Sequence, residues 1–292
     1  MKKYKSKKAG IEIIRTYRQL LLKWNIDVNE RMLDTRYGKT CVLECGIEGG
    51  APVVLFHGVG DNSALMWMFN AAALGAHFRL YAVDTIGGPE LSEFDDRYDK
   101  SFDDVLWIDD VLEALSLEQT SLIGVSHGGY MVQLYTLKRP DKVKQAVGIS
   151  AAVPIGQAGN PMKTMMKIFL PEALFPTKKN VHKLLKKLSG KNYGVFTEDP
   201  FIMEHYGWLL RGFNNMAMGY HKVTGFTEEE VEQLKDRVVY LAGEADPFMK
   251  LGGKTALVEM GMNVEFYKEA GHGLNQELAD QINERLIQLL LI

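Results

Sequence analysis

The six residues Gly124-Val125-Ser126-His127-Gly128-Gly129 set a serine between glycines at G-x-S-x-G spacing. An apolar run, Ser121 to Val125, leads in, and a helix-like pattern from Gly129 to Lys138 leads out. A strand that turns sharply into a helix needs small residues on both sides of the turn, because a Cβ at Gly124 or Gly128 would collide with neighbouring backbone. The turn strains the serine backbone, projects its hydroxyl outward and sets it at a helix N-terminus, where the dipole favours developing negative charge. The chemistry open to such a serine is nucleophilic attack and acyl transfer.

A hydroxyl is a poor nucleophile at neutral pH, so a base is needed, and the base needs an acid to orient it. On a strand–turn–helix serine the acid and then the histidine follow in chain order. The apolar run Val238 to Ala242 ends in Gly243-Glu244-Ala245-Asp246-Pro247, which makes Asp246 the candidate acid. Glu244 is the rival, but it sits at the turn itself, where an exposed carboxylate is the ordinary expectation. The short alternating run Val264 to Tyr267 is followed by Ala270-Gly271-His272-Gly273, and His272 is the candidate base. The oxyanion of a tetrahedral intermediate needs two backbone donors. The N–H of His127, next to the serine, is one, and Val59 in His57-Gly58-Val59-Gly60 is the other. The His57 and His127 side chains are not expected to act as bases. His127 diverges from Ser126 on the sharp turn, and His57 braces its own loop. The histidines show no metal-ligand spacing, so neither a metal nor an organic cofactor is expected.

These residues must be held by a layered frame. Pro52 to Phe56, Arg79 to Val83, Ser121 to Val125, Val147 to Ser150 and Val238 to Ala242 are continuous apolar runs, the pattern of strands buried on both faces. Helix-like segments separate them: Ala64 to Gly75, Phe102 to Leu115, Gly129 to Lys138, and a closing helix from Asn275 to Leu291. The order predicts a mostly parallel sheet with helices on both faces. A hairpin around Gly38-Lys39, from Arg31 to Glu44, adds an antiparallel edge. The rhythm breaks between about 152 and 230, where prolines and methionines replace strands. This stretch reads as a helical lid inserted after the sixth strand, dividing the core into 1–151 and 231–292. Met162, Met165, Met166 and Phe169 fall near helical spacing, with Met203, Trp208, Met216 and Met218 beyond them. They would line a substrate pocket or simply pack the lid. Lys178, Lys179, Lys183, Lys186, Lys187 and Lys191 read as a solvated helix face.

A chain of 292 residues with a formal net charge of −3 has neither the basic excess of a nucleic-acid binder nor an apolar stretch able to span a bilayer. The basic N-terminus lacks the apolar core of a signal peptide and reads as an amphipathic helix lying on the domain. Cys41 and Cys45, four apart on a strand, lie about 13 Å from each other and too far for a disulfide. The cytoplasm is the expected compartment.

Taken together, the ordered motifs resemble the α/β-hydrolase superfamily. Within it the chain is similar to bacterial carboxylesterases of the arylpropionate-ester type, carboxylesterase NP or naproxen esterase. The similarity rests on the leading helix that ends near Trp24, the Thr35-Arg36-Tyr37-Gly38 hairpin, and Tyr81-Ala82-Val83-Asp84-Thr85-Ile86-Gly87-Gly88. Arg139-Pro140-Asp141-Lys142-Val143 and Ala270-Gly271-His272 complete it. One departure is His127, where such esterases often carry an apolar residue. The resemblance implies a serine carboxylesterase acting on a small-molecule ester. The same triad would serve thioester, lipid or carbon–carbon bond hydrolysis, or a slow-turnover ligand sensor.

Overall fold

The computed structural model describes residues 1–154 and 166–291. Met162 and Met165 lie outside them. Among the described residues a nine-stranded sheet runs in the order β1-β2-β4-β3-β6-β7-β8-β9. Its strands are β1 (Asn29–Thr35), β2 (Gly38–Gly46), β3 (Pro52–Phe56), β4 (Arg79–Val83), β5 (Glu93–Phe94), β6 (Thr120–Val125), β7 (Val143–Ile149), β8 (Val238–Gly243) and β9 (Val264–Tyr267). β1 pairs with β2 and β2 with β4 antiparallel, and from β4 to β9 every pairing is parallel. The two-residue β5 pairs with β2 off the main path, so the strand preceding the 152–230 stretch is the seventh rather than the sixth. The hairpin turn falls on Arg36-Tyr37 and not on Gly38-Lys39, because Thr35 already pairs with Gly38.

Alternation along the central strands builds two cores. Val53, Leu55, Ile123 and Val125 face one, with Val54, Phe56 and Leu122 facing the other. On the first face pack α1 (Lys7–Leu21), α2 (Ser63–Met66) and α3 (Ala71–Gly75). On the second pack α4 (Asp104–Ala114) and α5 (His127–Lys138). Beyond β7 come α6 (Lys178–Leu188), α7 (Gly194–Thr197), α8 (Pro200–Gly212) and α9 (Glu228–Lys235). After β8 follow α10 (Lys254–Glu259), α11 (Leu274–Glu277) and α12 (Ala279–Leu290). The spans expected to be single helices at 64–75 and 275–291 are each two pieces.

Local chemistry starts the helices where they start. Asp103 accepts the Val105 and Leu106 N–H groups ahead of α4. Asp199 accepts those of Phe201 and Ile202 ahead of α8, with Pro200 in the first turn, and Thr227 and Glu230 form a capping box on α9. On α6, Val181, Leu184 and Leu185 are buried, and the lysines at 178, 179, 183, 186 and 187 are exposed. Helix α1 is more than a surface helix: Ile13, Tyr17 and Leu20 are completely buried. Cys41 and Cys45 are free and buried. Among the described residues no helix is long and apolar enough to cross a membrane.

Candidate active site

All the parallel strands point their C-terminal ends at one edge, and the candidate residues lie in the loops there. Ser126 follows β6 at φ 55° and ψ −114°, a left-handed position that a serine adopts only when its surroundings enforce it. Its backbone N–H donates to Ile149 O on β7 at 2.9 Å, and its carbonyl accepts the Tyr130 N–H at 3.2 Å. A Cβ on Gly124 would stand 2.1 Å from Gly128 O, and one on Gly128 would stand 2.4 Å from Phe56 O. Strand, helix and the β3 end therefore close on each other only with both glycines in place. Ser126 occupies the N-cap of α5, yet its side chain makes no capping bond. Among the described residues its Oγ has no hydrogen-bond partner, and a Cβ on Gly58 would stand 3.8 Å from it.

His272 follows β9. Its Nδ1 lies 2.8 Å from Asp246 Oδ2, and Asp246 Oδ1 accepts the Phe248 N–H at 2.8 Å. Asp246 is completely buried, and the His272 side chain keeps 21% of its surface open. A carboxylate on Nδ1 fixes the tautomer and leaves the Nε2 lone pair facing outward as a base. Burial opposes charge on the imidazole, but the charge and hydrogen bond of Asp246, with Asp61 and Glu277 behind them, raise its pKa above 6.5. The loop is held from both sides: the His272 N–H donates to Leu188 O at the end of α6, and Glu277 accepts the Gly271 and Gly190 N–H groups. Glu244 points away and pairs with Lys254 at 2.6 Å.

The turn after β3 lies against the serine, since a Cβ on Gly58 would be 3.3 Å from Ser126 Cβ. Among the described residues no acceptor engages the backbone N–H of Val59 or of His127, which leaves both free for an oxyanion. His57 is buried and braces its loop. Its Nδ1 donates to Gly58 O at 2.7 Å, and Nε2 accepts the Thr85 N–H and lies 2.7 Å from Glu90 Oε1. Burial disfavours charge on both groups, lowering the ring's pKa and holding the Glu90 carboxyl well above its ordinary range. Next to it, burial above all pushes Asp84 up to about 8. Burial, reinforced by nearby His221, pushes His127 down to about 4. Among the described residues its two ring nitrogens have no partner.

Several polar groups here carry no motif. His221 is buried between Asp104 Oδ1 at 2.6 Å and Ile86 O at 2.7 Å. Asp61, just past the β3 turn, is pushed up to about 6 by burial. Asn62 and His205 are joined by a hydrogen bond across 143 positions of sequence, and no local pattern could have paired them. Among the described residues no cluster of His, Cys, Asp and Glu is arranged to hold a metal.

The chain matches known proteins over most of its length. A match to the family described as alpha/beta hydrolase fold spans residues 51–273. Carboxylesterase YbfK of Bacillus subtilis (strain 168) is 28% identical over 289 residues, 97% of this chain and 94% of that protein. The crystal structure of naproxen esterase (carboxylesterase NP) from Bacillus subtilis superposes with a TM-score of 0.79 at 26% identity, over 97% of this chain and 99% of that one. That of carboxylesterase CesB (YbfK) from the same organism gives a TM-score of 0.76 at 26% identity, over 97% and 98%.

Proposed function

This chain belongs to the α/β-hydrolase fold family, and on that premise we propose that it hydrolyses small-molecule carboxylic esters through an acyl-enzyme on Ser126. Ser126 Oγ attacks the ester carbonyl carbon while His272 Nε2 takes the hydroxyl proton. The carbonyl π pair moves onto oxygen, where the N–H groups of Val59 and His127 receive the negative charge. Collapse expels the alkoxide, which leaves with the proton from His272. Water then repeats the sequence on the acyl-enzyme, releasing the acid and restoring the serine. Asp246 holds the imidazole with Nδ1 protonated and stabilises the imidazolium at each proton transfer.

The observation that carries this reading is the 2.8 Å contact of Asp246 with His272 on the loops beyond β8 and β9, at the same sheet edge as a serine held at positive φ after β6. Residues 152–230 are read as a cap over that edge, since α6 ends on the His272 loop and α8 reaches the β3 turn. Free, buried Cys41 and Cys45 suit a reducing compartment, and the cytoplasm is the proposed location.

The test is hydrolysis of p-nitrophenyl esters of increasing acyl length by the native enzyme, Ser126→Ala and His272→Ala. The expected result is turnover of roughly 1 per second or faster, with a collapse of at least about 1,000-fold in each variant. Native activity no greater than that of the variants would refute the esterase reading.

A further inference from the structure

Three buried side chains from distant stretches form one hydrogen-bonded chain that ends on the β3 turn. Thr16 lies on α1, His205 on α8, and Asn62 caps α2; their exposures are 1%, 0% and 0%. His205 Nε2 is 2.7 Å from Asn62 Nδ2, and His205 Nδ1 is 2.7 Å from Thr16 Oγ1. The partners fix the direction of donation. Asn62 Oδ1 accepts the Leu65 N–H at 3.1 Å, so the amide presents its NH2 to the ring, which must offer a lone pair at Nε2. The Thr16 hydroxyl lies 2.9 and 3.0 Å from Glu12 O and Ile13 O, which only accept, so its proton goes there and its lone pair takes the Nδ1–H. The ring is neutral with its proton on Nδ1, and burial, which pushes its pKa down to about 3, keeps it neutral across the working range of an esterase.

The far end of this chain grips the exit of the turn that carries Val59. The Asn62 N–H donates to Asp61 Oδ1 at 2.8 Å, and the Asp61 N–H closes back on Gly58 O at 3.4 Å. Val59 itself is 44% exposed, and its N–H has no partner among the described residues. The near end is a closely packed pair of helices. α1 and α8 approach so closely at Gly212 that a Cβ there would stand 2.6 Å from Ala9 Cβ, and Arg15–Glu204 and Lys23–Asp199 pair across them. α1 precedes the segment that matches the family, yet through one imidazole it reaches the turn beside Ser126.

We propose that His205 is a positioning residue: Thr16 and His205 hold Asn62, and through it the Val59 N–H, where the tetrahedral oxyanion forms. The proposal rests on the esterase reading above and deepens it by naming what sets the oxyanion donor. Misplacing a donor affects the transition state far more than the bound ester, so the effect belongs in kcat.

The experiment measures kcat and KM for p-nitrophenyl butyrate, and Ki for an aryl trifluoromethyl ketone that forms an oxyanion adduct with Ser126, in His205→Phe, His205→Gln and Thr16→Val. In His205→Phe, kcat is expected to fall roughly 10- to 100-fold with KM within about 3-fold, and the ketone Ki to weaken in step with kcat/KM. His205→Gln, whose amide oxygen can accept from Asn62, is expected to recover most of that loss. If His205→Phe does not fold, Thr16→Val carries the test with an expected loss in kcat of roughly 3- to 10-fold. A variant with native kcat, a loss confined to KM, or equal losses in the Phe and Gln variants would overturn the positioning role and leave the esterase reading standing. A native enzyme that neither turns over the ester nor binds the ketone would overturn both.

Discussion

At the scale of single residues, the division of labour between Asp246 and Glu244 is decided by burial. Asp246 has no exposed surface and meets His272, whereas Glu244 pairs outward with Lys254. Asp246→Asn is expected to lower kcat on the order of 1,000- to 10,000-fold, because an amide donor facing Nδ1 favours the wrong tautomer. Glu244→Gln is expected to stay within about 2-fold of native. The base must be neutral to act, and the net effect of its surroundings raises the His272 pKa above 6.5. Activity therefore rises with pH through a midpoint above 6.5, and kcat/KM profiles of Asp246→Asn should show that midpoint displaced downward. The triad candidates were legible because each sits in its own local signature: a serine between glycines, an acid after a strand, a histidine between glycines. His205 and Asn62 were not, since their partners lie 189 and 143 positions away and nothing around either departs from an ordinary helix or cap.

At the scale of elements, the strands legible to the residue are the apolar runs Pro52–Phe56 and Arg79–Val83, which stop abruptly, and the alternating run Val264–Tyr267. The spans 64–75 and 275–291 read as continuous in sequence, but each breaks in the fold, before Ala71 and at Leu278, and buried amides lock the pieces together. Asn70 donates to Asn275 O and to Asn283 Oδ1, while Asn275 and Gln276 donate to Met66 O and Leu65 O. These bonds tie α2 and α3 to the last helices, and only the folded chain reveals them. Caps, by contrast, follow from sequence-local rules. Thr227→Ala removes one side of the α9 capping box, whose bonds join only Thr227 and Glu230. It should cost about 1 kcal/mol, lower Tm by about 2 °C and leave kcat unchanged, as calorimetry beside the ester assay would show.

At the scale of the whole molecule, the buried acids near the site set the pH dependence of stability. Asp84 has a folded pKa of about 8, and Glu90 is also raised well above its ordinary range. Unfolded, Asp84 loses its proton near pH 4. Between about pH 4 and pH 8 the native state thus holds the extra proton, so stability falls as pH rises across that window and levels off above it. Asp84→Asn, which keeps an acceptor for Tyr17 and Leu91 and removes the charge, should flatten Tm against pH over the same interval. An unchanged slope in the variant would assign the pH dependence to other groups.

The position of β9 has a further consequence. It is a four-residue strand at the border of the sheet, bonded among the described residues only to β8 and lightly covered, and the loop beyond it carries His272. Trp24 and Trp107 are buried and bonded to Ala64 O and to Thr40 on β2; Trp67 is buried beside α2, and the fourth tryptophan, Trp208, is half-buried on α8. Subglobal opening of the β9 border would remove the base from the serine while Trp24 and Trp107 stay packed. The enzyme should therefore fall silent before it melts: in rising urea, activity should vanish at a lower concentration than the shift in tryptophan emission. Amides of Val264 to Tyr267 should exchange with deuterium ahead of those in β3 and β6, and coincident midpoints would mean that the border opens only with the whole.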